Sequence, residues 1–130
     1  MAKYFFDTTV LIAFFKREDS KTHDLFSEIL DGGSSATISV ITLAEAYSWS
    51  EMTDETIRRD RQAILALLQV IDVNRSMAQR AGGLRRQHNL ELPDALIAAC
   101  AERAGGKFFS KDAHFNRLLD SGILDGEIYA

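Results

Sequence analysis

Four acidic residues stand where one element gives way to the next: Asp7, Glu45, Asp94 and Asp112. Asp7 ends the run Lys3-Tyr4-Phe5-Phe6, and Val10, Leu11 and Ile12 follow shortly after. Glu45 comes three residues after Thr42, Asp94 directly follows Pro93, and Asp112 follows Lys107-Phe108-Phe109-Ser110-Lys111. Carboxylates gathered at one place repel one another and hold their protons more tightly unless a cation is present. Hard divalent cations with oxygen ligands, Mg²⁺ or Mn²⁺, suit such a set. A site of that kind can activate water and stabilise charge on a phosphodiester during in-line displacement.

Each acid also has an architectural reading. Asp7 can cap the helix that follows it, and Asp112 can cap residues 113–119. Glu45 can be the return arm of a capping box opened by Thr42, and Asp94 can complement a helix dipole. Caps accept Ser, Thr or Asn as readily as Asp, yet all four positions are acids. Their joint placement therefore favours chemistry over capping. The nearby hydroxyls Thr8, Thr9 and Ser110 can hold a metal-bound water or a phosphate oxygen or be ordinary turn residues, and the turn reading suits Thr8 better than Ser110. His23, His88 and His114 share no ligand spacing and read as surface or half-buried residues, although His114 lies two residues from Asp112. Lys111 can reach a phosphate or stay solvated. The groups Arg58-Arg59-Arg61 and Arg85-Arg86 read as solvated helix faces able to meet an RNA backbone. Tyr47, Trp49 and the phenylalanines read as core.

The elements that must position these residues follow from periodicity. Tyr4-Phe5-Phe6 does not alternate, as expected of a strand covered on both faces. An apolar helix runs on from it to Phe15. Ser20 can cap a second helix bearing Leu25, Phe26, Ile29 and Leu30 at helical spacing. Residues 36–41 read as a strand, and the capping box Thr42 to Glu45 opens a third helix to about Trp49. Thr53 can cap a fourth, with the stripe Ile57, Ile64, Leu67 and Leu68. Residues 70–73 are a third strand. Asn74 caps a fifth helix carrying Met77, Ala81 and Leu84, in which Gly82-Gly83 suggests a close helix contact. Leu90-Glu91-Leu92 is extended ahead of Pro93, which suits a first helical position. Asp94 to Arg103 is an apolar and hence central helix. Residues 107–110 form a fourth strand, Asp112 opens a short helix, and 127–129 form a last edge strand. The order β-α-α-β-α-α-β-α-α-β-α-β implies a parallel sheet with helices on both faces. All four acids then fall at the carboxyl edge of the sheet, where ligands bind in open α/β folds.

Global features set limits. The 130 residues suit one domain, 1–130, without repeats or linkers. The single cysteine, Cys100, excludes an internal disulfide framework and fits a reducing compartment. No signal-peptide layout and no membrane-length apolar run are present, so a cytoplasmic location is expected. The formal charge of −4 argues against a simple basic-patch nucleic-acid binder. A cluster of acids that holds metal counts as negative in that sum and behaves differently once loaded.

Four stretches, in order and spacing, resemble the acidic motifs of PIN-domain proteins. They are Phe6-Asp7-Thr8-Thr9-Val10-Leu11-Ile12, Ser39-Val40-Ile41-Thr42-Leu43-Ala44-Glu45, Leu92-Pro93-Asp94-Ala95-Leu96-Ile97-Ala98-Ala99 and Ser110-Lys111-Asp112-Ala113-His114-Phe115. The nearest-looking branch is the VapC-type toxins of toxin–antitoxin modules. The resemblance implies a three-layer α/β/α fold with a mostly parallel sheet of four to five strands. It implies an endoribonuclease dependent on Mg²⁺ or Mn²⁺, with Asp7, Glu45, Asp94 and Asp112 holding metal and Ser110 at the hydroxyl-bearing position. It further implies a homodimer and a cognate antitoxin whose tail blocks the acidic pocket. Many relatives carry another acid where this chain has His114, which leaves one metal or two open.

Other classes remain. A PIN-like module could bind metal and RNA or protein without turnover, and a nuclease of this kind could process RNA outside any toxin module. A phosphatase of the haloacid dehalogenase kind also begins with an acid after its first strand, but needs a second acid two residues on, where this chain has Thr9.

Overall fold

A computed structural model describes residues 1–130. The elements in order are β1 (Ala2–Phe6), α1 (Thr8–Lys16), α2 (Ser20–Leu30), β2 (Ser34–Ser39), α3 (Val40–Ser48), α4 (Glu55–Leu65), β3 (Gln69–Ile71), α5 (Arg75–His88), α6 (Leu92–Ala104), β4 (Lys107–Ser110), α7 (Asn116–Asp120) and β5 (Gly126–Ile128). Short 3₁₀ turns at Ser50–Thr53 and Ala113–Phe115 precede α4 and α7. The expected alternation holds, and all five strands pair in parallel in the order β3-β2-β1-β4-β5.

That order makes β1 the central strand. The chain steps outward from it to β2 and β3, then returns to the other side as β4 and β5. The direction of winding reverses between β1 and β4, so a crevice opens beyond the carboxyl ends of these two strands.

Strand side chains alternate between faces and divide the core in two. Phe5 and Phe108, opposite one another across β1 and β4, pack with Met77, Ala81 and Leu84 of α5 and with the buried face of α6. Phe6 and Phe109 point the other way and pack with Val10, Leu11, Leu25 and Phe26 of α1 and α2. The non-alternating Tyr4-Phe5-Phe6 run is explained by these two apolar layers. In α6, Ala95 and the run from Ile97 to Ala101 are buried, as expected of a central helix. No helix is long and apolar enough to cross a membrane.

Several local expectations are corrected. α2 is capped by Asp19, whose side chain accepts from the Thr22 amide, rather than by Ser20. α4 is capped by Asp54 and not by Thr53, which lies in the preceding 3₁₀ turn. In both places the longer carboxylate reaches the third amide from just outside the helix, and the adjacent hydroxyl is displaced by one position. α4 stops at Leu65, so Leu67 falls in the following turn and is exposed, as is Ile57. β2 ends at Ser39 and β3 spans residues 69–71, each ending two residues before the expected limit. Leu92 is the first residue of α6, which makes Pro93 the second. Gly82 and Gly83 mark no close contact: a Cβ added at either meets nothing within 4 Å. Tyr47 is exposed and not core.

Candidate metal and nuclease site

Asp7 ends the central strand. Its amide still bonds to the Phe109 carbonyl at 3.2 Å, so the residue is held at the end of the sheet. Oδ1 caps α1, accepting from the amides of Thr9 at 3.1 Å and Val10 at 3.4 Å and from the Thr9 hydroxyl at 2.6 Å. Oδ2 accepts only from the Ser110 hydroxyl, at 2.8 Å. A carboxylate oxygen has room for a second interaction, so Oδ2 retains a free lone pair. The oxygen that caps α1 is thus distinct from the one that keeps a free lone pair. The side chain is almost wholly buried, and burial pushes its carboxyl from 3.8 up to about 6, against the hydrogen bonds that lower it.

Ser110 and Thr9 tie this carboxylate to the end of β4. The Ser110 hydroxyl donates to Asp7 and accepts from the Asp112 amide at 2.9 Å. The Thr9 hydroxyl donates to Asp7 and accepts from the Lys111 amide at 2.9 Å. Asp112 caps its 3₁₀ turn, with Oδ1 accepting from the His114 amide at 2.9 Å and lying 3.1 Å from His114 Nδ1.

Glu45 arrives differently from expectation. Ser39 caps α3, its hydroxyl accepting from the Ile41 amide at 3.0 Å, so the helix begins at Val40 and Glu45 lies in its second turn. The proposed capping box does not form. Thr42 and Glu45, three apart on one helical face, both turn toward Thr8. Thr8 donates to Glu45 Oε1 at 2.7 Å and lies 2.9 Å from the hydroxyl of fully buried Thr42. Because the Thr8 proton goes to Glu45, Thr42 is the donor in that second bond. Thr8, read from sequence as a turn residue, is therefore the residue that fixes Glu45. The Thr42-x-x-Glu45 spacing carried the signal but pointed to the wrong partner.

Asp94 occupies the first turn of α6, as expected, on a helix that has no side-chain cap. Burial raises its carboxyl, and the charges of Asp112, Glu91 and Glu45 raise it further while His114 opposes them. One ligand atom from each of Asp94, Asp112 and His114 lies within 4.8 Å of the others. His114 is a surface residue as expected, with 79% of its side chain exposed, yet it joins the acids as a possible donor. Its two-residue separation from Asp112 was the available signal.

Lys111 is neither solvated nor aimed at the crevice. Its ammonium meets Asp19 Oδ2 at 2.5 Å and Glu18 Oε2 at 3.3 Å, with 17% of the side chain exposed. Arg61 is not a solvated face residue, since its guanidinium lies over the rings of Phe15 and Trp49.

The family model for the PIN domain matches residues 4–119. No curated protein matches the sequence. Among solved structures, the chain is similar to VapBC2 from Rickettsia felis bound to a DNA fragment from its promoter, with a TM-score of 0.77 and 21% identity over 98% of this chain and 99% of that one. It is similar to DNA-bound VapBC from Salmonella typhimurium, with a TM-score of 0.74 and 21% identity over the whole of both chains. A toxin–antitoxin complex from Klebsiella pneumoniae gives a TM-score of 0.67 and 24% identity over 86% and 89%. At these identities the likeness establishes a shared fold.

Proposed function

The chain belongs to the PIN-domain family, and from that premise we propose that it is a Mg²⁺- or Mn²⁺-dependent endoribonuclease, the toxin of a type II toxin–antitoxin module. The observation that carries this reading is the gathering of Asp94, Asp112 and His114 within 4.8 Å, joined through Ser110 to the buried Asp7. The donor chemistry fits a hard divalent cation: the ligands are chiefly carboxylate oxygens. Asp7 and Asp94 are raised by burial and by neighbouring acids, which is negative charge that the protein leaves uncompensated.

Asp7, Glu45, Asp94 and Asp112 would hold the cation, with His114 as a further donor. The cation would supply positive charge to a scissile phosphodiester and lower the pKa of an attacking water. The remaining tasks belong to the chain. Ser110 holds Asp7 and Asp112 at a fixed separation through its two hydrogen bonds. Thr8, itself held by the Thr42 hydroxyl, occupies one oxygen of Glu45 and leaves Oε2 free to accept a proton from water.

The complexes named above support an antitoxin as partner. A cleft of about 940 Å³ between α1, α2 and α4, lined by Phe14, Phe15, Leu30, Ile57 and Ile64, supports the same reading by offering an apolar seat. A homodimer and action in the cytoplasm complete the proposal.

The test is cleavage of a mixed small-RNA pool with Mg²⁺, with Mn²⁺ and with chelator, beside a folded Asp94→Asn variant. Metal-dependent cutting that the variant lacks is expected. Cutting that survives chelator or the substitution would overturn the assignment. RNA binding without any turnover would favour the non-catalytic module.

A further inference from the structure

Beside the acids lies a pocket of about 530 Å³ whose walls include Arg85, His88, Asp94, His114 and Arg117. Asp94 and His114 belong to the acidic cluster, so the pocket is continuous with it. Its lining also includes two arginines. Arg85 lies in the last turn of α5, and Arg117 in α7. In its size range the pocket could receive a nucleotide unit.

Neither guanidinium has an acidic partner, which Arg75 and Arg86 share, but Arg85 and Arg117 alone among the arginines line this pocket. Arg59 is held by Glu55 at 2.7 Å and Arg80 by Glu102 at 2.8 Å. Arg85 and Arg117 form no ion pair, although Glu91 and Asp94 line the same pocket. The only protein bond of the Arg117 guanidinium is a long one, Nη1 to the His88 carbonyl at 3.5 Å. Complementing the α5 dipole accounts for one basic residue there, but Arg86 sits in the same turn outside the pocket and could serve equally. A planar fork with free donors, next to acids suited to hold metal, fits a phosphate of a strand already bound at the acids.

We propose that Arg85 and Arg117 form a phosphate subsite that takes the RNA backbone next to the scissile linkage, through the pocket that Asp94 and His114 share with the acidic cluster. The subsite rests on the nuclease reading above. It also reconciles an acidic chain of net charge −4 with a polyanionic substrate, since the basic charge is local to the strand's path.

The experiment uses the full chain and a fluorescent single-stranded RNA, with binding followed by anisotropy in chelator across a range of salt. Arg85→Gln/Arg117→Gln is compared with Arg75→Gln/Arg86→Gln, which removes the same charge from exposed positions. Each phosphate contact contributes a slope of about 0.7 in log affinity against log salt for single strands. The pocket variant should therefore bind about 25-fold more weakly at about 0.1 M salt, with the slope reduced by about 1.4, while the control binds as the native chain does. Equal losses in both variants would mean diffuse attraction and overturn the subsite. So would unchanged binding by the pocket variant, or failure of the native chain to bind the RNA. A change of sedimentation in the pocket variant alone would assign this face to self-association and overturn it likewise. Metal-dependent cleavage by the native chain, scored in parallel, judges the nuclease reading separately.

Discussion

Asp7 caps α1 with one oxygen and meets Ser110 with the other, and its burial opposes the charge that both bonds favour. Its carboxyl is raised by burial from 3.8 to about 6. Between about pH 4 and 6 the folded state keeps the proton that the unfolded state has lost, so this group's stabilising contribution falls as pH rises through that interval. Above pH 6 the penalty is constant, roughly 3 kcal/mol at 1.36 kcal/mol per pKa unit. Asp7→Asn should therefore be more stable than the native chain by up to roughly 3 kcal/mol at pH 7.5 in chelator, and near equal to it at pH 4. Urea unfolding at the two pH values measures the difference, and a less stable variant at pH 7.5 would refute the buried-charge account. Glu45 poses a different question, that of orientation. Thr8→Val should lower cleavage about tenfold, the cost of one lost bond to a charged group. Thr8→Ser, which keeps the hydroxyl, should restore it. If Val and Ser cleave equally, Thr8 does not set the Glu45 carboxylate.

The elements are joined near the crevice by contacts that cross long stretches of chain. Lys111, at the end of β4, ties that end to the start of α2 through Asp19. Burial raises the Asp19 carboxyl, but hydrogen bonds from Lys111 and Thr22 outweigh it and hold the group below its ordinary value. Asp19 has 20% of its side chain exposed in the native chain, and Lys111→Met removes the ammonium that it meets. A loss of about 1–3 kcal/mol is expected, and a double-mutant cycle with Asp19→Asn should show coupling of at least about 1 kcal/mol. Additive effects would mean that the two side chains act independently. At the far edge, β5 comes so close to β4 that a Cβ at Gly126 would stand 1.9 Å from the Phe108 carbonyl oxygen. Gly126→Ala must displace β5, so the Tyr129 amide, bonded to Ser110 at 2.9 Å, should lose its protection from hydrogen exchange. Retained protection would mean that the strand pair can shift to admit the methyl group.

At the scale of the whole molecule, acids from separate elements meet at one point and would be relieved together by one cation. A ligand that binds only the folded state stabilises it by about 2.7 kcal/mol at a hundred times its dissociation constant. For a chain of this length that corresponds to a rise of about 10 °C in Tm on adding Mg²⁺. The rise should be absent in Asp94→Asn. An equal rise in both proteins would place the cation away from Asp94.

Element types, their order and the parallel sheet could be read along the chain, because helical and strand periodicities and the acids' places after strands are local properties. The places of Asp7, Asp94 and Asp112 beside element ends could be read likewise, and folding gathers Asp94 and Asp112, whereas Glu45 lies a turn deeper in α3 than its spacing implied. Cap positions were legible only to within one residue, as at Ser20 and Asp19, because adjacent hydroxyl and carboxylate side chains compete for the same amides. What sequence could not supply were the pairings across the crevice: Thr8 with Glu45, Thr9 with the Lys111 amide, Lys111 with Asp19, His114 with Asp94. Those depend on β1 lying between β2 and β4, a strand order that local pattern does not encode. Folding brings residues 7 and 110 into hydrogen-bond contact, and the energy of that contact exists only once the strands between which it forms are paired.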